Sequence, residues 1–477
     1  MPDPTLDPAD WGALRDAAHD LLDRSLDRLQ SARDGRVWTP LPDGMKAGLK
    51  AGLPAEGMQH FELAERLASL LPYGVGNTHP RFFGWVHGAG NPGGVLAEIV
   101  AAAMNANLGG RDHGAIYVEK QVLDWCRAMM GFPADSGGLI VSGTSMATII
   151  ALKAARDARI GPDSRTKGAG GVRLTGYASA QAHSCVARAF DMLGLGSDAL
   201  RIVPCLDDFT MDLRALRGMI AEDTRSGLTP FALIGTAGSV NLGAIDDLAG
   251  LADIAANKGL WFHVDGAFGA TAILSDRVRP RLKGMERADS LAFDFHKWLH
   301  VNYDAGCVLI RDRDAHLRAF SERPDYLAPS ARGLAAGNPW PVDFGPELSR
   351  GFRALKIWAH LLEHGTDKLG AAITRNVEQA AWLGAKIDDT PGLELLAPAT
   401  LNIVCFRYTA DGTADPDALN EAIVIALQES GTAAPSTTRI NGKLAIRVNL
   451  TNHRTTRPDL DLLLSEVLRL GGELGTQ

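Results

Sequence analysis

Short apolar segments alternate with amphipathic segments along the middle of the chain. From residue 91 onward, most of the apolar segments end in polar residues or glycine, and segments of helical character separate most of them. This alternation is typical of an α/β domain with a mainly parallel sheet. In such sheets, functional groups collect at the carboxyl ends of the strands. Strands are predicted at 138–143, 173–179, 201–205, 231–238, 260–267, 290–294 and 305–310.

The two ends of the chain follow other patterns. Apolar residues at approximately helical spacing follow Pro8, and Pro- and Gly-rich sequence surrounds a second helical stretch before residue 80. We therefore expect residues 1–90 to form a helical segment that packs on a partner subunit. Residues 91–360 should form the large α/β domain. The remaining residues, 361–477, show strand and helix patterns that predict a small α+β domain.

Composition narrows the range of functions. Hydrophobic residues make up 46% of the 477 residues, charged residues make up 22%, and the net charge is −8. These values are ordinary for a globular protein, and without a basic run they argue against a nucleic-acid or anionic-membrane partner. No apolar run approaches the roughly 20 residues that span a bilayer. A small-molecule partner is therefore expected.

The cysteines and the N-terminal sequence indicate the cellular compartment. Five cysteines are scattered without a CxxC pair, which argues against a disulfide framework and against a zinc site. The first residues are polar and acidic, which is unlike a signal peptide. We therefore expect a cytoplasmic protein with reduced thiols and no metal.

A lysine and an aspartate stand just past two predicted strands. Asp265 ends one apolar segment, and Lys297 follows 32 residues later in "DFHKWLH" (294–300). A lone aspartate at a strand end is equally typical of the start of a turn. A carboxylate and a lysine at neighbouring strand ends, however, form the arrangement that a pyridoxal phosphate site uses. There the lysine forms a Schiff base with the aldehyde, and the carboxylate keeps the pyridine nitrogen protonated.

Two further segments contain residues of the kind that bind a phosphate and a flat aromatic ring. "SGTSMAT" (142–148) runs from a strand into a helix start, where free N–H groups and the helix dipole attract phosphate. Ser and Thr are also routine N-caps, so this segment alone leaves both interpretations open. His183 stands at the start of another predicted helix. It is either a core histidine or an imidazole that stacks on a cofactor ring.

The order of these segments resembles the group II pyridoxal-phosphate-dependent amino-acid decarboxylases, which include the aromatic L-amino-acid, tyrosine, histidine and glutamate decarboxylases. The Asp-x-Ala of "HVDGAFG" followed by His-Lys-Trp is the most specific part of the resemblance. Further similar segments, which extend it over essentially the whole chain, are "HPRFFGW" (79–85), "YASAQAHSCVARA" (177–189), "IGTAGSVNLGAIDDL" (234–248) and "RGFRALKIW" (350–358). The resemblance implies PLP-dependent fold type I, pyridoxal 5′-phosphate as cofactor, and a homodimer with the active site at the subunit interface.

The resemblance also implies roles for individual residues. Lys297 would form the Schiff base, and His296 beside it would touch the cofactor phosphate. Asp265 would pair with the pyridine nitrogen while His183 stacks over the ring. Further contacts would come from Thr144 and Ser145 at the phosphate, Asp294 near the phosphate, Ala267 against the ring and Thr236 on its phenolic side. A carboxylate such as Asp294 would be repelled by a phosphate dianion unless it is hydrogen-bonded.

One segment rich in Gly, Ala, Ser and Pro, "RPDYLAPSARGLAAGNPW" (323–340), is either a mobile loop or a simple linker. In the family that it resembles, a tyrosine matching Tyr326 lies on a mobile loop that closes over the adjacent subunit's active site and returns a proton to the α-carbon. Relatives with phenylalanine there, or with asparagine at the stacking histidine, tend toward oxidative deamination to an aldehyde. Tyr326 and His183 together favour decarboxylation to the amine.

The substrate follows less directly from the sequence. Asn77 and Asn107 stand where animal aromatic decarboxylases carry Trp and Phe, which makes the pocket roomier or more polar. Arg111, Asp112 and His113 would either contact a polar substrate or form a surface turn. The chain-wide pattern ranks aromatic L-amino acids (tyrosine, DOPA, tryptophan or phenylalanine) first. The alternative substrate is a polar or acidic amino acid. The alternative functions are an aldehyde synthase, an aminotransferase or carbon–carbon lyase of the same fold, and a non-catalytic binding protein.

Overall fold

The computed structural model describes residues 5–161, 163–322, 330–409 and 415–475, so the predicted catalytic Tyr326 lies outside the described residues. The helices are α1 (Trp11–Gln30), α2 (Asp43–Gly48), α3 (His60–Ala68), α4 (Pro92–Met104), α5 (Gly114–Met130), α6 (Thr144–Ile160), α7 (Ser164–Lys167), α8 (Cys185–Met192), α9 (Leu213–Arg225), α10 (Leu248–Lys258), α11 (Arg313–Phe320), α12 (Arg353–Asp388), α13 (Pro416–Ser430) and α14 (Arg457–Leu474). The strands are β1 (Gly137–Val141), β2 (Leu174–Ser179), β3 (Leu200–Val203), β4 (Thr229–Thr236), β5 (Trp261–Asp265), β6 (Ser290–Asp294), β7 (Gly306–Ile310), β8 (Leu393–Leu395), β9 (Ile403–Tyr408), β10 (Ser436–Ile440) and β11 (Lys443–Asn449).

The large sheet confirms the predicted fold class. It has seven strands in the order β1-β7-β6-β5-β4-β2-β3, and each coincides with one of the predicted apolar segments. β7 is antiparallel to its two neighbours, whereas the other neighbouring pairs are parallel. Strands β1, β2, β6 and β7 are buried along their whole length. Helices cover both faces of such a sheet, which is why these strands appear as continuous apolar runs in the sequence.

The register of the sheet brings the predicted site residues to one edge. Thr236 lies opposite Asp265, at the ends of β4 and β5. Gly306 at the start of β7 lies between Val141 and Asp294, at the ends of β1 and β6. Because β1, β4, β5 and β6 run in the same direction, their carboxyl ends share this edge, which is where ligands bind in open α/β sheets.

A smaller antiparallel sheet lies in the C-terminal region, in the order β10-β11-β9-β8. The sequence predicted a strand after residue 392, helix α13, strand β11 and helix α14. The structure divides that first strand into β8 and β9 and adds β10. An edge strand whose central residues are polar and at least partly exposed has no apolar run to reveal it, and β10 is of this kind.

Helix α12 joins the two sheets. It packs on α4 and α5 beside the large sheet and on β8 and β9 of the small one. Gly365 interrupts it with a φ of +65°, a left-handed conformation that glycine adopts without steric cost. The predicted domain boundaries at 90 and 360 stay predictions. Within the described ranges, no helix is both long and apolar enough to cross a membrane.

Candidate active site

Two adjoining cavities lie at the carboxyl edge of the large sheet. We call them the Asp265 cavity, of about 250 Å³, and the Thr144 cavity, of about 350 Å³. His183, Ala267 and Lys297 line both of them. The Asp265 cavity is also lined by Trp85, Val86, His87, Thr236, Gly238, Val240, Asp265 and Phe268, and the Thr144 cavity by Ser142, Gly143, Thr144, Ser145, Met146, Cys185, Asp294, His296 and Tyr303. The structure therefore brings together the predicted site residues that it describes.

Asp265 is a buried carboxylate with few partners. Its Oδ1 accepts a hydrogen bond from the backbone N–H of Ala267 at 3.1 Å, and its Oδ2 lies 3.9 Å from the Cys185 thiol. Burial raises the pKa of Asp265, and the positive charge of Lys297 opposes that rise. A buried carboxylate with so few donors is stabilised by a cation beside it. A protonated ring nitrogen in the cavity would supply one.

Lys297 lies three residues beyond β6 and contacts Asp294. Its Nζ is 3.0 Å from Asp294 Oδ2, while the Thr144 backbone N–H donates to Asp294 Oδ1 at 2.7 Å. Asp294 therefore has the hydrogen bond that a carboxylate near a phosphate requires. The adjacent Trp298 is buried and donates its indole N–H to Asn376 Oδ1 at 3.0 Å, which fixes the turn after Lys297.

The His296 ring is held by its own loop. Its Nδ1 lies 3.0 Å from Ala305 O and 3.1 Å from Ala305 N, and Tyr303 packs on the ring with the centroids 4.4 Å apart. Burial lowers the pKa of His296, although Asp294 raises it. The imidazole therefore reaches the Thr144 cavity in a fixed orientation, with Nε2 3.7 Å from Asp294 Oδ2.

The first turn of α6 faces the Thr144 cavity. Its N-cap is Gly143, which has no side chain, and Asp294 accepts the Thr144 N–H; the other N–H groups of a helix start have no partner within the helix. The buried hydroxyls of Thr144 and Thr236 also have no hydrogen-bond partner among the described residues. Unpaired buried donors are rare in folded proteins. Their presence in both cavities fits a bound group with oxygen acceptors, such as a phosphate ester at α6.

Asp246 supports the end of β4 and was not predicted from the sequence. It accepts the backbone N–H of Thr236 and that of Met211, both at 2.8 Å. Burial raises the pKa of Asp246 to about 6. The sequence signal for Asp246 is its place in "IGTAGSVNLGAIDDL", one of the segments that resemble the decarboxylase family.

Other lining residues were also missed. His87 and Trp85 line the Asp265 cavity, and Tyr303 lines the Thr144 cavity. His87 and Trp85 belong to the segment after "HPRFF", about 200 residues from Lys297 in sequence. Only the folded chain places them together, because no local periodicity reports a contact of that separation.

The residues that the sequence suggested as substrate contacts, Asn77, Asn107 and residues 111–113, do not line these two cavities. Asn77 donates to Gly88 O at 2.6 Å, next to the His87 segment. Asn107 accepts the backbone N–H of Arg350 at 2.9 Å. Of the neighbouring polar residues, Arg111 lies over the Trp340 ring, Asp112 accepts from Tyr117, and His113 contacts Asn107 O. Arg111 and His113 line a separate cavity of about 550 Å³ together with Asn107, and both interpretations of residues 111–113 stay predictions.

Comparison with known proteins agrees with this geometry. A family model described as the pyridoxal-dependent decarboxylase conserved domain matches residues 42–409. The chain is 32% identical to an aromatic-L-amino-acid decarboxylase of Bacillus atrophaeus, over 97% of this chain and 96% of that one. It is also 32% identical to an L-2,4-diaminobutyrate decarboxylase of Rhizobium meliloti, over 92% and 85%.

A solved structure has the same fold. The crystal structure of Oryza sativa TDC with PLP and tryptamine matches with a TM-score of 0.88 and 25% sequence identity, over 98% of this chain and 100% of that one. The family match spans most of the chain, and the cavities present a lysine, a buried carboxylate and a helix start that fit pyridoxal 5′-phosphate. The chain therefore belongs to the pyridoxal-dependent amino-acid decarboxylases.

Proposed function

We propose that this enzyme converts an aromatic L-amino acid to the corresponding amine and carbon dioxide. The observation that carries the proposal is the Asp265 cavity, where Lys297 and Asp265 share a space whose other lining is mostly apolar or aromatic. Trp85, Val86 and Phe268 supply that lining. Such a surface favours a flat apolar side chain over a charged one.

Lys297 and Asp265 would act on opposite ends of the cofactor ring. Pyridoxal 5′-phosphate, when bound, withdraws electrons from the substrate α-carbon, which allows the carboxylate to leave as carbon dioxide. The Lys297 amine would hold the cofactor covalently until substrate replaces it. The Asp265 carboxylate would hold a proton at the ring nitrogen. Ala267, which lines both cavities, would pack against the ring.

The α6 end of the site would bind the phosphate. Thr144 and Ser145 offer their hydroxyls at the helix start, Ser145 also offers its backbone N–H, and His296 offers an imidazole. Asp294 would remain beside the phosphate because it accepts the Thr144 N–H and contacts Lys297. Thr236, whose hydroxyl is unpaired, would donate to the phenolic oxygen of the ring.

His183 and Tyr326 would govern the product. The His183 ring lines both cavities, and its Nδ1 accepts the Cys185 backbone N–H at 3.2 Å, which orients it over the space for the ring. Tyr326 would deliver a proton to the α-carbon after carbon dioxide leaves. A proton delivered there yields the amine, whereas oxidation at that carbon yields the aldehyde.

The enzyme would act as a homodimer with sites at the subunit interface. Helices α1 and α3 pack on each other yet leave Trp11, Phe61 and Leu67 exposed, and α4 exposes a second group of apolar residues. Large exposed apolar side chains in this number are typical of protein interaction surfaces. A cytoplasmic location stays a prediction from the sequence.

A second candidate substrate is a polar amino acid. The relative from Rhizobium meliloti is a diaminobutyrate decarboxylase, and its sequence identity to this chain, 32%, equals that of the aromatic enzyme, although over a smaller share of both chains. Against this, the described lining of the Asp265 cavity has no carboxylate besides Asp265 to bind a second ammonium group.

The test is a panel of L-amino acids with the purified holoenzyme. We expect carbon dioxide and amine in equal amounts from tyrosine, DOPA, tryptophan or phenylalanine. Carbon dioxide only from 2,4-diaminobutyrate, histidine or glutamate would overturn the aromatic assignment. Aldehyde, ammonia and peroxide in place of amine would show an aldehyde synthase.

A further inference from the structure

His87 is a polar group in the active site that the proposed function does not use. Its ring lines the Asp265 cavity together with Lys297 and Asp265. Among the described residues, its ring nitrogens form no hydrogen bond with protein, and the side chain is half-buried. It contacts rings, with the Phe82, Trp85 and Tyr303 centroids 5.7, 5.9 and 5.8 Å away. A half-buried imidazole with unpaired nitrogens at a cavity wall is available to a ligand.

The backbone holds His87 close to Lys297. The next residue, Gly88, donates its N–H to His296 O at 3.2 Å, and a Cβ on Gly88 would meet Lys297 O at 2.3 Å. Thr451 donates to the His87 carbonyl at 3.1 Å. Trp85, two residues earlier, has a φ of +46°, which is unusual for a bulky residue. This segment is therefore packed against the lysine loop in one conformation.

The His87 imidazole is neutral near pH 7. Burial lowers its pKa, and the charges of His296 and Lys297 lower it further. A neutral imidazole offers one N–H donor and one acceptor nitrogen. It therefore favours a neutral hydrogen-bonding group over a second carboxylate in the substrate.

The surroundings of His87 restrict that group to the tip of an apolar side chain. The rest of the cavity wall that is not assigned to the cofactor consists of Trp85, Val86, Gly238, Val240 and Phe268. The substrate α-carbon lies next to Lys297 in the proposed function, so its side chain begins within reach of this wall. A flat ring would contact the apolar residues while a polar atom on it meets His87.

We propose that His87 selects aromatic L-amino acids that carry a hydrogen-bonding group on the ring, a phenol hydroxyl or a ring N–H, over phenylalanine. This inference rests on the proposed function and names the substrate class of the same site. A site built to hydrogen-bond such a group disfavours an analogue that lacks it, because the half-buried His87 nitrogen then has no partner on the substrate.

The experiment compares tyrosine with phenylalanine in the holoenzyme and in His87→Leu and His87→Asn. We expect the wild type to prefer tyrosine in kcat/KM by at least about tenfold. His87→Leu should bring the ratio close to one by reducing the tyrosine value. His87→Asn should keep part of the preference, because the amide retains a donor and an acceptor.

A binding measurement separates the ring contact from a contact with the substrate carboxylate. The methyl esters of tyrosine and phenylalanine have no free carboxylate and cannot lose carbon dioxide. Their dissociation constants can be read from the change in visible absorbance of the bound cofactor. The His87→Leu effect on the tyrosine-to-phenylalanine ratio should persist with the esters. A His87→Leu effect that vanishes with the esters would overturn the proposal.

A control variant and further kinetic outcomes also test the role of His87. His19→Leu is the matched control, since His19 is exposed on α1 and lies outside both cavities, and it should leave the ratio unchanged. Equal kcat/KM for both amino acids in the wild type, or an equal loss for both in His87→Leu, would overturn the role of His87 while the proposed function stands. Absence of carbon dioxide from every aromatic amino acid would instead overturn the proposed function, and this inference with it.

Discussion

At the scale of single residues, a substitution of Asp265 gives the most direct test of the proposed chemistry. It is buried, it accepts one backbone N–H from Ala267, and its charge is needed opposite the ring nitrogen. In Asp265→Asn the side chain keeps its shape but cannot hold a proton on that nitrogen. We expect kcat to fall by about 100-fold or more, as when other transition-state interactions are removed. KM should change little, and the absorbance spectrum should still show bound cofactor.

Steady-state kinetics and an absorbance spectrum of each variant check this. Asp247→Asn is the control, because Asp247 is an exposed N-cap of α10 and asparagine caps helices equally well. That variant should retain full activity. An Asp265→Asn enzyme with wild-type kcat would show that this carboxylate does not serve the chemical step.

The sequence predicted those site residues that end strands or begin helices. Asp265 and Lys297 follow buried apolar runs, and Thr144 follows a glycine at a helix start, so local pattern locates them. Local pattern could not find His87 or Tyr303. Their importance depends on which rings and loops meet them in the folded chain, and His87 contacts a loop about 200 residues away in sequence.

At the scale of elements, β7 packs closely against the start of α6, where the cofactor phosphate is proposed to bind. Gly306 lies between the ends of β1 and β6, and a Cβ there would meet Gly143 Cα at 2.6 Å and Asp294 Oδ1 at 2.7 Å. Neither the helix start nor a paired carboxylate can yield without moving the Thr144 N–H. In Gly306→Ala we expect the dissociation constant for pyridoxal 5′-phosphate to rise by about tenfold, which is about 1.4 kcal/mol.

Titration of the apoenzyme with cofactor, followed by absorbance, measures this constant. Gly114→Ala is the matched control, since no atom lies within 4 Å of a Cβ at that helix-start glycine. It should bind cofactor like the wild type. If Gly306→Ala bound pyridoxal 5′-phosphate as tightly as Gly114→Ala, the start of α6 would not be the phosphate site.

The elements themselves differ in how far sequence could predict them. The strands of the large sheet follow from apolar runs because both faces are buried. β10 lies at an edge with exposed polar residues, so it leaves no periodic signal.

At the scale of the whole molecule, buried histidines should make stability depend on pH. Burial lowers the pKa of His316 and His453 to about 4 and that of His360 to about 3. They stay neutral in the folded state, whereas in the unfolded state they protonate near 6.5. The unfolded state thus binds more protons below that pH. Their contribution to stability is present above about pH 6.5 and is lost as the pH falls toward 4.

His360→Leu isolates one of these contributions. Neither ring nitrogen of His360 has a hydrogen-bond partner among the described residues, so leucine removes the titration without leaving a polar group unpaired. We expect the decrease in Tm between pH 7 and pH 5 to be smaller than in the wild type. His19→Leu, on the exposed side of α1, should leave that decrease unchanged. Identical pH profiles for the wild type and His360→Leu would contradict the assigned pKa.

The exposed face of α4 tests the proposed homodimer. Leu96, Ile99, Val100 and Met104 are each about half exposed, and their spacing places them on one side of the helix. If a second subunit covers this face, an aspartate there would be buried without a partner, which is strongly destabilising to association. We expect Ile99→Asp to shift the protein from dimer to monomer, measured by size-exclusion chromatography with light scattering, and to lower activity because the site would be incomplete.

Ile425 provides the matched control for Ile99. It lies on α13 and is 47% exposed, compared with 50% for Ile99, so Ile425→Asp makes the same chemical change on another helix. That variant should remain a dimer with wild-type activity, because an aspartate on a solvated helix face is not desolvated. A wild type that is monomeric, or an Ile99→Asp protein that remains dimeric and active, would mean that α4 is not part of a subunit interface. The exposed apolar residues of α1 and α3 would then be the next surface to substitute.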